Sequence, residues 1–102
     1  MKWLLDVTPQ ARRDLASILH WYEENLGSRA ALKVARTVRS RLSAMEAGRL
    51  MGAELTPGSS YKRVVAKRHV IVFQPEGNAL RVLRIVHGAQ DLEQVAADLD
   101  AH

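Results

Sequence analysis

Apolar and polar residues alternate at the start of the chain, where Trp3, Leu5 and Val7 are interleaved with Lys2 and Asp6, the period of a strand with one buried face. Leu4 breaks the alternation, and a first strand is expected over residues 2–7. Thr8-Pro9 then places a hydroxyl at a helix N-cap and a proline at the first helical position, where its missing N–H costs nothing. Ala11, Leu15, Ile18, Leu19, Tyr22 and Leu26 recur at helical spacing up to Gly27, which can end the helix in the left-handed conformation. Ser28 can cap a second helix at once, with Ala31, Val34, Val38, Leu42 and Met45 as its apolar stripe and Gly48 as its end. So short a connection folds the two helices back on each other as a hairpin.

Residues 50–60, with Gly52, Pro57, Gly58, Ser59 and Ser60, carry no period and read as a loop. After them the pattern changes to β-branched runs at Tyr61–Ala66, His69–Gln74 and Ala79–His87, separated by Lys67-Arg68 and by Pro75-Glu76-Gly77-Asn78. These spacings predict a three-stranded meander. In the last run Leu80, Val82 and Val86 share one parity and Leu83 and Ile85 the other, so both faces of that strand should be covered. The helices can cover one face. Asp91–Leu99, with Leu92, Val95, Ala96 and Leu99 at helical spacing, is the internal candidate for the other, and a partner chain is the external one.

Composition narrows the class. A chain of 102 residues with 47% hydrophobic and 25% charged residues is expected to fold as one α+β domain spanning 1–102. It contains no cysteine, which removes disulfides and thiolate metal sites and suits a reducing compartment. No apolar run reaches the roughly 20 residues of a membrane span, and the opening Met-Lys-Trp-Leu-Leu-Asp turns acidic too soon for a signal peptide. Cytoplasm is the expected location, with no membrane association.

The net charge of +4 is unevenly spread. Arg29, Lys33, Arg36, Arg39, Arg41 and Arg49 face only Glu46 in their stretch, and Lys62, Arg63, Lys67, Arg68, Arg81 and Arg84 face only Glu76 in theirs. The tail reverses sign with Asp91, Glu93, Asp98 and Asp100. Such a distribution steers an acidic partner toward the basic parts, although charged helix faces also serve plain solubility.

The order of elements, and several local stretches, resemble the ParE/RelE toxin superfamily along nearly the whole chain. The stretch Val7-Thr8-Pro9-Gln10-Ala11-Arg12-Arg13-Asp14-Leu15 resembles the family's entry into its first helix. Tyr61-Lys62-Arg63-Val64-Val65 and Arg68-His69-Val70-Ile71-Val72-Phe73 resemble its central hairpin, and Arg81 to Leu92 its last strand and exit. The resemblance implies a β-α-α-β-β-β(-α) fold, with a helical hairpin packed on a twisted antiparallel sheet.

RelE-like members of the superfamily are ribosome-dependent ribonucleases, and cutting RNA by 2′-OH attack needs a base, an acid and cations around the phosphate. This chain has Val70 where the nuclease branch carries an arginine, and no tyrosine after Tyr61. His87 is the one remaining candidate for proton transfer, and on a regular strand Arg81 shares its parity while Arg84 does not. His20 and Glu24, four apart on a helix, lack a third metal ligand and read as a solvated face.

The ParE branch is the closer likeness, through the opening motif and the Val-His-Gly-Ala-Gln-Asp exit, although Gln90 stands where many relatives have arginine. That likeness implies a toxin that inhibits DNA gyrase by binding, with no cofactor, no metal, no catalytic residue of its own and no sequence-specific contact to nucleic acid. It also implies a cognate antitoxin, usually of ribbon-helix-helix type, in a hetero-oligomer such as a two-to-two complex, and a role in plasmid stabilisation. The partner-binding residues expected on this reading are Arg63, Lys67, Arg68, Arg81, Arg84 and His87. A ribosome-dependent mRNA endonuclease and a non-toxic antitoxin-binding module are the alternatives.

Overall fold

The structure, a computed structural model, describes residues 2–101. Its elements are β1 (Leu4–Val7), α1 (Pro9–Leu26), α2 (Ser28–Glu46), β2 (Ala53–Glu54), β3 (Lys62–Ala66), β4 (His69–Glu76), β5 (Ala79–His87) and α3 (Leu92–Asp100). They form one five-stranded sheet in the order β1-β5-β4-β3-β2. The α+β arrangement is the expected one, with two additions to the sheet. β1 joins β5 in parallel, from Leu4 opposite Ala79 to Val7 opposite Val82, so the sheet is mixed. The short β2, inside the stretch expected to be loop, pairs Ala53 with Arg63 and Glu54 with Lys62.

Thr8 caps α1 as anticipated, its hydroxyl accepting from Ala11 N–H at 3.3 Å. The same hydroxyl donates to the Val82 carbonyl at 2.8 Å, and Thr8 N–H reaches that carbonyl too. Ser28 is not the cap of α2: it is already helical, and Gly27 ends one helix and begins the next at φ 91. That backbone angle penalises any residue with a Cβ, which is why a one-residue link between two long helices falls on glycine. At the other end, the ladder of β1 starts only at Leu4, because Trp3 N–H is committed to the Glu46 carbonyl at the end of α2. Leu4, the break in the alternation, points outward and is 63% exposed.

The hairpin covers one face of the sheet around Val38, Met45, Val64, Ile71, Phe73, Val82 and Ile85. Each such side chain contributes roughly 1.5–3 kcal/mol by leaving water. The other face carries a smaller cluster of Leu55, Val70, Val72, Val86 and Val95. α3 supplies its lid through Leu92, Val95, Ala96 and Leu99. Of the two covers anticipated for that face, the chain's own tail is therefore present. Asp91 starts α3 by accepting from the Glu93 and Gln94 N–H groups, and the Tyr61 hydroxyl donates to Asp100 at 2.7 Å. That hydrogen bond, ahead of burial, raises the Tyr61 pKa.

A bulge changes which side chains share a face. Val72 pairs with Arg84 but Phe73 pairs with Val82, so Leu83 is an extra residue and the alternation of β5 inverts there. Leu80, Val82 and Ile85 consequently face the hairpin while Val86 faces α3. This corrects the parity read from the sequence, which grouped Val86 with Leu80 and Val82. Pro75 lies within β4, not in the turn, which is only Gly77-Asn78. Its lack of an N–H is tolerated because β3, starting opposite Phe73, does not extend that far. Among the described residues no helix is long and apolar enough to cross a membrane.

Candidate functional site

The sheet ends at the β3–β4 turn, and the chain builds that end from two charged residues. Lys67 and Arg68 form the whole loop between Ala66 and His69. Lys67 adopts φ 56, the one residue other than glycine with positive φ among those described. A lysine held there carries strain of order 1 kcal/mol. The end of β5 comes against this turn, with Gly88 N–H donating to the Arg68 carbonyl at 2.7 Å. A Cβ on Gly88 would stand only 3.1 Å from that oxygen, so the close approach depends on the missing side chain.

Four of the six anticipated residues meet here. Arg63, Lys67, Arg68 and His87 line one cleft of about 370 Å³ on the α3 side of the sheet, together with Val65, Val70 and Leu92. Val65 is 54% exposed, because the cluster beneath α3 extends through Val70, Val72 and Val86 but not to it. The lid on the second face is thus incomplete at the cationic end. Among the described residues the ion pairs fall to His20, Arg81 and Arg84, and none neutralises Arg63, Lys67 or Arg68.

The other two anticipated residues lie elsewhere. Arg81 stands 4.0 Å from Asp6 and 3.7 Å from Glu76. The Leu83 bulge removes the parity it was expected to share with His87, so the two are not neighbours. Arg84 is held by Asp14, with Nε at 2.7 Å from one carboxylate oxygen and Nη2 at 3.3 Å from the other. The Ile85 N–H donates to the same carboxylate at 3.0 Å. With side chains 26% and 10% exposed, this pair belongs to the interior more than to a docking surface.

The partner His87 does have is His69. The two are opposite each other in the β4–β5 ladder, and their rings meet edge to face at 5.6 Å. His69 is buried and also meets the ring of Tyr22 at 5.8 Å. Burial first, then His87 and Arg68, push its imidazole below its ordinary pKa. His87 accepts at Nδ1 from the Ala89 N–H at 3.1 Å, which places the ring proton on Nε2. In this state the ring offers a donor, and its basic lone pair is engaged by the backbone. The arrangement can hold an acceptor such as a carboxylate, but it is poorly set to take a proton from a hydroxyl.

Sequence reasoning missed His69 and Val65 as contributors to this end of the molecule, and Asp14 as the group that withdraws Arg84 from it. The His69–His87 pairing could be found only by registering both hairpins and the bulge together. His20 and Glu24 sit 3.9 Å apart on an exposed helix face, and no group of three or more His, Cys, Asp or Glu among the described residues could hold a metal ion.

A family model described as the ParE toxin of type II toxin-antitoxin system, parDE, matches residues 5–92. No curated protein matches the sequence. Among solved structures, the chain is similar to one from the chromosomal ParDE TA system of P. aeruginosa, with a TM-score of 0.72 and 19% identity over 84% of this chain and 96% of that one. It is also similar to the YoeB dimer from Staphylococcus aureus, with a TM-score of 0.56 and 14% identity over 85% of this chain and 98% of that one. At these identities the likeness to solved structures concerns the fold.

Proposed function

This chain belongs to the ParE toxin family of type II toxin-antitoxin systems, and on that premise we propose that it inhibits DNA gyrase by binding and is neutralised by an antitoxin seated at the cationic end of its sheet. The observation that carries this reading is the cluster of Arg63, Lys67 and Arg68, uncompensated among the described residues, around the exposed Val65. An acidic, apolar segment of an antitoxin complements such a surface in both charge and hydrophobicity. The engagement of His87 Nδ1 by Ala89 also supports a binder over a ribonuclease, since the nuclease alternative needs that ring as a base. Arg63, Lys67, Arg68 and His87 are the contacts proposed for partners, with Arg81 and Arg84 acting mainly within the fold.

Two measurements test this. Purified chain added to gyrase should suppress supercoiling and accumulate cleaved DNA, and the Lys67→Gln/Arg68→Gln variant should do so less. Unimpaired supercoiling together with transcripts cut inside reading frames would instead establish the nuclease alternative. The protein encoded beside this chain, co-expressed and purified, should co-elute with the wild type and restore gyrase activity.

A further inference from the structure

The β3–β4 turn borders a second cleft on the opposite, hairpin side of the sheet. It measures about 350 Å³ and has an apolar wall of Ile18, Trp21, Tyr22 and Leu26. Facing that wall are Arg68 and His87, which also line the α3-side cleft. The volume lies in the range of about 300–1,000 Å³ usual for sites that enclose a ligand group. Trp21 and Leu26 are 55% and 61% exposed, a large area to leave in water on one helix face.

The cleft is held in shape from within. Trp21 meets Tyr22 edge to face at 5.3 Å, Tyr22 meets His69 at 5.8 Å, and His69 meets His87 at 5.6 Å. This chain of rings runs from α1 to β5 and fixes the apolar wall relative to the charged one. A recess of about 220 Å³ next to it shares Tyr22, Arg68 and His69 and adds Lys33 and Lys67, so the side of the cleft nearest the turn is cationic.

We propose that this cleft is a second seat for the same acidic partner segment, taking one large apolar side chain whose neighbouring carboxylate is held by Arg68 and His87. The inference rests on the reading of the chain as an antitoxin-binding toxin. Chemistry selects the occupant. A purely apolar group would leave the guanidinium and the His87 Nε2–H without an acceptor, and a cationic group would be repelled by Arg68, Lys67 and Lys33. A carboxylate beside an apolar side chain satisfies both walls, with charge-assisted hydrogen bonds on one and buried area on the other. Because Arg68 and His87 belong to both clefts, a segment crossing the end of the sheet between them engages both faces at once.

The test uses the full chain carrying Trp3→Phe, so that Trp21 is its sole tryptophan, and the aromatic anion 8-anilinonaphthalene-1-sulfonate as probe. The dye should bind saturably with energy transfer from Trp21. Leu26→Ser, confined to this cleft, and Arg68→Gln should each weaken it by about fivefold or more, while Arg39→Gln, exposed on α2 and lining neither cleft, should leave it unchanged. A synthetic peptide of Leu-Glu-Glu repeats should displace the dye, and its Leu-Gln-Gln counterpart should not. Dye binding indifferent to Leu26→Ser and Arg68→Gln, or equally lost with Arg39→Gln, overturns the inference. So does displacement by oligothymidylate but not by the peptide, or exclusion of the dye by self-association in sedimentation. Leu26 and Arg68 are exposed, and Trp3, which packs half-buried against the core, is replaced in the reference chain as well, so thermal melting unchanged from that reference confirms that loss of binding is not loss of fold. A failed gyrase assay alongside the expected dye result removes only the target assignment; the opposite outcome removes only the second seat.

Discussion

The two groups of arginines at the sheet have opposite electrostatic lives. Arg81 and Arg84 lie within reach of Asp6, Glu76 and Asp14, so their charge is largely answered inside the chain. Arg63, Lys67 and Arg68, which line one cleft, have no carboxylate at ion-pair distance among the described residues. Both groups look alike as sequence, cations within or beside β-strands. The difference teaches that cationic sequence stays available for docking only where the fold withholds its own anions, and here Asp6, Asp14 and Glu76 stand on β1, on α1 and at the end of β4, away from the β3–β4 turn.

The sharpest way to break this contrast is to remove the anion. Asp14→Ala strands a partly buried guanidinium and the Ile85 N–H together, and should cost about 2–3 kcal/mol in urea unfolding. A loss no larger than that of a surface substitution would mean that Arg84 is as free as Arg68. Next in size, Lys67→Gln/Arg68→Gln should weaken antitoxin binding by about tenfold or more in calorimetry, against less than about threefold for Arg81→Gln. Equal effects would erase the distinction between the two groups. The same binding should weaken as salt rises, because exposed charges are screened within about 8 Å at physiological ionic strength.

Acid should act through His69. Its folded-state pKa is lowered, by burial first and then by His87 and Arg68. The unfolded chain therefore takes up its proton more readily, and stability present above the ordinary value of about 6.5 is lost as pH falls through it toward the lowered one. Urea midpoints should drop between neutral and mildly acidic pH, and His69→Gln should flatten that drop. The smallest expected change is at the turn. Lys67→Gly relieves the strain at φ 56 and should stabilise the fold by about 0.5–1 kcal/mol, while weakening the partner complex through the lost charge.

Most of the fold is legible in the sequence because its signals are local. Thr8-Pro9, the helical spacing up to Leu26, Gly27 and the two-residue turn at Lys67-Arg68 each describe neighbours along the chain, and the structure has them where those signals fall. The bulge is not legible, since Leu83 is apolar and fits either face, and its presence depends on how β4 and β5 register. The two-residue β2 carries too short a pattern to announce itself, and its pairing is visible only once β3 is in place. The candidate site was readable as a set of cations but not as a place. Whether an arginine is free or engaged depends on residues as distant as Asp14 is from Arg84, seventy positions apart in the chain.

β1 stops at Val7 opposite Val82, and the rest of β5 meets a threonine and an aspartate at the head of α1 instead of another strand. Those two side chains occupy hydrogen-bonding positions that a foreign β-strand would otherwise take up. The Val82–Ile85 stretch of that margin is thereby closed by side chains that cannot extend a ladder, which blocks polymerisation along it.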